Sequence, residues 1–178
     1  MAILPILKYP NPTLITPAVP VTEFNESLQV LAKDMLETMY SAPGVGLAAP
    51  QIGELLQLVV IDVDFKMDYD DDGVLPPRYF NKKPRILINP KITSSSGQHT
   101  SEEGCLSFPK LYTEISRANY IEIEYQDLQG KFRKEIHKKN LLTICIQHEI
   151  DHLNGILMID RCNPLERQRI IDSMKVHK

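Results

Sequence analysis

Residues 147–155, Gln-His-Glu-Ile-Asp-His-Leu-Asn-Gly, contain the pattern H-E-x-x-H, and no other stretch constrains the fold as strongly. In a helix, His148 and His152 stand four residues apart on one face, where both imidazoles can reach a single metal ion. Glu149 lies about 100° further round, so its carboxylate can hang beside such an ion without coordinating it, placed to handle a proton. A helix is expected because Asn140 can cap its start, Leu141, Ile144, Cys145 and His148 recur at helical spacing, and Gly155 can close its end. The ligand face is therefore also apolar, and the rest of the chain must enclose it. Read alone, five residues in this pattern also fit two ordinary surface histidines, so the decision falls to other segments.

Two histidines need at least one further protein ligand, with a position left open for water if the site is catalytic. Cys105, in Glu102-Glu103-Gly104-Cys105-Leu106-Ser107-Phe108-Pro109, is the candidate, because a separate strand can approach from the open side. Cys145 competes from the same helix but is expected to line the neighbouring pocket. The third cysteine is Cys162, and an odd number of widely spaced thiols fits a reducing compartment, not a disulfide framework. His99, His137 and His177 lack ligand spacing and are expected to be exposed. Residues 44–53, Gly-Val-Gly-Leu-Ala-Ala-Pro-Gln-Ile-Gly, are mostly small, which lets a backbone approach something closely; no phosphate-loop pattern is present. Gln51 is the lone polar side chain there, which suggests a donor aimed into a site.

The proline-rich residues 1–22 are expected to run extended over the surface. A surface helix is expected from about Asn25 to Ser41, with Leu28, Leu31, Ala32, Met35 and Met39 inward. Leu55 to Val63 and Ile86 to Ile92 read as buried strands, separated by the polar excursion Asp64 to Arg85. Asp68 to Gly73 copies half of an EF-hand loop, but Tyr79 stands where the closing glutamate belongs, so a solvated acidic loop is expected. Ser94 to Gly97 reads as a turn, Tyr120 to Tyr125 and Lys131 to Ile136 as a hairpin with one wet side, and Leu165 to Val176 as a terminal helix. With 178 residues, 43% of them hydrophobic, the chain is expected to be one domain, 1–178. A net charge of −3 gives no basic field for nucleic acid. With neither a signal segment nor an apolar membrane span visible, a cytoplasmic protein is expected.

Taken together and in order, Gly44 to Gln51, Glu103-Gly104-Cys105-Leu106-Ser107 and His148-Glu149-Ile150-Asp151-His152 resemble the three signature motifs of the peptide deformylases, and the similarity extends from Leu7 to the terminal helix. The resemblance implies an α+β fold with antiparallel sheets packed around the H-E-x-x-H helix, an N-terminal surface helix and a C-terminal helix. It implies removal of the formyl group from the N-terminal formyl-methionine of nascent polypeptides, releasing formate. The ligands would be Cys105, His148 and His152, and the ion Fe2+ in the cell, with Zn2+, Ni2+ or Co2+ able to substitute. Glu149 would move the proton, while the Gln51 amide and the Leu106 backbone N–H would meet the oxyanion. Val45, Gly46, Glu103, Leu141, Ile144 and Cys145 would serve substrate binding, and Arg117 would pair with Glu103 or Asp151. The implied partners are formyl-methionyl nascent chains and the ribosome, with no membrane. Two rivals remain at this point: a zinc peptidase taking Glu166 as third ligand, and a structural metal module recruiting Cys145 beside Cys105.

Overall fold

The computed structural model describes residues 2–68 and 78–176. Its elements run in the order α1 (Glu26–Ser41), β1 (Gly46–Ala48), β2 (Leu58–Ile61), β3 (Lys66–Asp68), β4 (Arg78–Phe80), β5 (Arg85–Ser96), β6 (His99–Cys105), β7 (Phe108–Arg117), β8 (Tyr120–Gln126), β9 (Phe132–Lys138), α2 (Leu141–Leu153) and α3 (Pro164–Val176). An antiparallel sheet runs β1-β2-β5-β8-β9, and β3-β4 and β6-β7 form separate two-stranded ribbons. This is the α+β arrangement expected, with α2 against the sheet.

The short apolar strands read as continuous runs because both their faces are buried. Leu47, Leu58, Val60 and Ile88 pack with Leu28, Ala32, Met35 and Met39 of α1. The alternate residues Ala48, Val59, Ile61 and Leu87 pack with Ile146, Ile150 and Leu153 of α2. Pairing of Ala48 with Val59 and of Val59 with Leu87 keeps the two sets on opposite sides. Each such side chain taken fully out of water contributes roughly 1.5–3 kcal/mol before entropy is counted.

α1 and α2 start where asparagine can cap them. Asn25 accepts a bond from the Leu28 N–H, and Asn140 accepts from the Thr143 N–H at 2.8 Å. In α2 the buried residues include Gln147, His148, Glu149, Asp151 and His152, so the polar groups of the motif sit inside the fold. Gly155 ends the helix at φ 70°, where a Cβ would lie 2.5 Å from the Ile15 carbonyl oxygen.

Several expectations need correction. The N-terminal segment is more than a surface wrap: Leu14 is fully buried with Phe108, Ile115, Leu157 and Ile170, because apolar residues between the prolines anchor in a third core. β5 continues through Ser96, and the turn falls at Gly97 with φ 68°. The strand expected at Cys105 is half of a hairpin, β6-β7, which polarity hides because its inward positions include Glu103, Thr113 and Arg117. His137 is buried, since it pairs across from Ile121 on the side facing α2, and its ring bonds Glu135 at 2.9 Å. His99 is exposed, whereas His177 and residues 69–73 of the acidic loop lie outside the described residues. Asn140→Ala should cost about 1 kcal/mol of stability, read as a lower denaturation midpoint at unchanged m-value.

Candidate metal centre

β6 ends at Cys105, and α2 presents His148 and His152 one turn apart. The Cys105 sulfur and a nitrogen from each imidazole lie within 4.8 Å of one another. Sγ is 3.2 Å from His152 Nε2. A thiolate with two imidazoles suits divalent Fe or Zn, and three ligands leave a coordination position open, so the residues fit a catalytic ion. The thiol is prepared for this: burial raises it, but His152 and His148 beside it outweigh that and hold it well below its ordinary range. Cys145 behaves oppositely. Burial first and then the Glu149 carboxylate push its thiol well up, and its sulfur faces the Val45 carbonyl. Among the described residues it joins no ligand cluster, and neither does Glu166, which pairs with Arg169.

The ligands are fixed from behind. His148 Nδ1 lies 3.0 Å from Glu103 Oε2, which orients the ring so that its other nitrogen turns toward Cys105. Arg117 Nε donates to Glu103 Oε1 at 2.7 Å, and its NH1 donates to Asp151 Oδ2 at 2.7 Å. Arg117 thus pairs with both expected carboxylates, tying the cysteine hairpin to the helix. Arg161 covers Asp151 from the outside. Burial opposes ionisation of Glu103, yet its bonds to His148 and Arg117 hold its carboxyl below the usual range. This carboxylate is engaged by Arg117 and His148, and Glu103 also lines the cleft in front of the cluster.

In front of the ligands opens a cleft of about 750 Å³ lined by Val45, Gly46, Gln51, Leu106, Leu141, Ile144, Cys145 and Glu149 among others. Glu149 is buried at its floor, with Oε2 lacking a hydrogen-bond partner among the described residues. Burial raises its carboxyl, although the two imidazoles partly oppose this. Gln51 is held with its nitrogen inward: the Ala48 N–H donates to Oε1 at 2.9 Å, and Nε2 lies 3.1 Å from Ser107 Oγ and 3.6 Å from Cys105 Sγ. Gly46 has no room for a side chain, since a Cβ would meet Glu149 Oε1 at 2.3 Å. The supporting roles of Ser107 and Arg161 were missed from sequence: Ser107 lies inside the cysteine motif without a role of its own there, and Arg161 stands in no motif.

A thiolate and two imidazoles beside a buried carboxylate, at the floor of a largely apolar cleft, define a metal-dependent hydrolase. A family model described as polypeptide deformylase matches residues 3–168. A peptide deformylase of Endomicrobium trichonymphae is 47% identical over 178 residues, covering 100% of this chain and 97% of its own. The crystal structure of a peptide deformylase from Legionella pneumophila superposes with a TM-score of 0.83 at 43% identity, covering 98% of this chain and 96% of its own. That from Ehrlichia chaffeensis gives 0.85 at 30% identity, covering 99% and 97%. The chain belongs to the polypeptide deformylase family: it is an enzyme that removes the N-formyl group from the formyl-methionine of nascent polypeptides. Replacing Arg117 by alanine leaves Glu103 buried without its guanidinium and Asp151 with only the outer Arg161, so stability should fall by about 3 kcal/mol and bound metal should be lost; urea titration and metal analysis check both.

Proposed function

We propose that deformylation by this chain runs through Glu149, Gln51 and Leu106 around an ion held by Cys105, His148 and His152. When bound, the cation polarises the formyl carbonyl and acidifies a water molecule. Glu149 accepts the proton as water attacks the formyl carbon, then delivers it to the departing amine as the tetrahedral adduct collapses. Its unpartnered Oε2 and upward-shifted carboxyl suit a group that alternates between base and acid. The Gln51 amide and the Leu106 N–H donate to the developing oxyanion, and the grip of Ala48 on Gln51 means little reorganisation is needed. The methionine side chain occupies the cleft between Val45, Leu141, Ile144 and Cys145, while the bare Gly46 backbone lets the peptide approach.

The observation that carries this reading is the gathering of Cys105, His148 and His152 within bonding reach of one ion. We propose Fe2+ as the cellular metal, with Zn2+, Ni2+ or Co2+ able to replace it, since the mixed thiolate and imidazole set accepts all four. One domain, 1–178, acting in the cytoplasm on chains emerging from the ribosome completes the proposal. No helix among the described residues is long and apolar enough to cross a membrane.

Anaerobic purification with metal analysis, followed by formate release from a formyl-methionyl peptide, tests the scheme. Glu149→Gln should lower kcat by about 10²–10⁴-fold with metal retained. Gln51→Leu should cost on the order of 10²-fold in kcat. Cys105→Ala should lose the metal. A Cys105→Ala protein that kept its ion and cut internal peptide bonds would instead favour the zinc peptidase reading.

A further inference from the structure

The N-terminal segment runs directly behind the two proposed oxyanion donors. The Leu7 N–H donates to the Gln51 carbonyl at 2.7 Å, and the Tyr9 N–H donates to the Ser107 carbonyl at 3.1 Å. Between them, the Lys8 ammonium donates to the Leu106 carbonyl. Tyr9 also stacks on Phe108, with ring centroids 5.2 Å apart. Three successive residues therefore grip Gln51 from one side of the cleft and residues 106–108 from the other. Further back, the same segment is moored to α1 where the Leu4 N–H donates to Thr38 Oγ1.

We propose that Lys8 is a positioning residue for deformylation: its ammonium holds the Leu106 carbonyl, and this sets the direction of the Leu106 N–H relative to the Gln51 amide. The inference rests on the assignment of those two groups as oxyanion donors. Leu106 lies in the tight turn between the paired Cys105 and Phe108, next to the register shift at Gly104 and Cys105, and its carbonyl accepts from the Lys8 ammonium. The carbonyl is the handle by which ψ of Leu106 can be held. A lysine suits the task because its stem reaches from an exposed position on the N-terminal segment to the cleft rim, where the residue forms part of the lining. An acceptor on a backbone carbonyl is satisfied equally by ammonium or guanidinium, whereas a thioether of similar length offers no donor.

The experiment compares Lys8→Met, Lys8→Arg and Gln51→Leu with wild type as metal-loaded enzymes, measuring kcat and KM on a formyl-methionyl tripeptide, metal content and thermal midpoint. For Lys8→Met, kcat should fall about tenfold, the range a small misalignment of a reacting group produces, with KM, metal content and midpoint unchanged. Lys8→Arg should restore most of the rate. An unchanged kcat in Lys8→Met, a loss in KM alone, a fall in metal content or midpoint that tracks the rate, or failure of arginine to rescue would each overturn the proposal. The Gln51 variant separates the two levels: a slow Gln51→Leu beside a normal Lys8→Met removes only the role of Lys8, whereas a normal Gln51→Leu removes the oxyanion assignment beneath it.

Discussion

The buried guanidinium of Arg117 is the hinge of the molecule. It stands between Glu103 of the cysteine hairpin and Asp151 of the central helix, and Glu103 in turn holds His148. It gives both buried carboxylates a hydrogen-bonded cation. Such a network adds little net stability over an apolar equivalent, but it specifies geometry in a way packing alone does not. It fixes one element's sulfur against another's nitrogens, which is what a soft metal requires. The outer cation Arg161 completes the alternation of charge from the surface to the imidazole.

Around this network the fold works by close approach. Gly46 brings the β1 backbone against Glu149, and Gly44 makes room for the Leu106 side chain, whose atoms a Cβ would meet at 2.7 Å. The small residues of the segment 44–53 thus let the cleft wall, Glu149, Gln51 and Leu106 share one small volume. Gln51 stays aligned because the Ala48 amide next to it can serve only as a donor, leaving the side-chain nitrogen to face the ligands.

The helices were legible because their signals are local: asparagine caps and apolar residues at helical spacing mark α1 and α2 in the sequence. The cluster of Cys105, His148 and His152 followed from residue type and from the family motifs. The β6-β7 ribbon was not readable, since its strands are half exposed and interrupted by a register shift near Cys105. His137 looked exposed among lysines, yet strand parity turned it inward opposite Ile121. The burial of Leu14 depends on contacts with Phe108 and Ile170, far along the chain, which no local pattern encodes. What composition and spacing miss is which distant segment comes to lie behind which, and the strap at residues 7–9 is of that kind.

One consequence of the sheet sandwiched between two helices concerns where the chain can change length. Residues of β1 and β2 alternate between two separate interiors, so adding or removing a single position within them would exchange those interiors and carry a bulky neighbour of Gly46 into the Glu149 carboxylate. By contrast, the pairing of Ile61 with Arg85 closes off the intervening excursion from below. Changes of length there leave the partners of β1, β2 and β5 and the Cys105, His148 and His152 cluster in place, so divergence in size among relatives is expected to accumulate at that point while β1 and β2 keep their count.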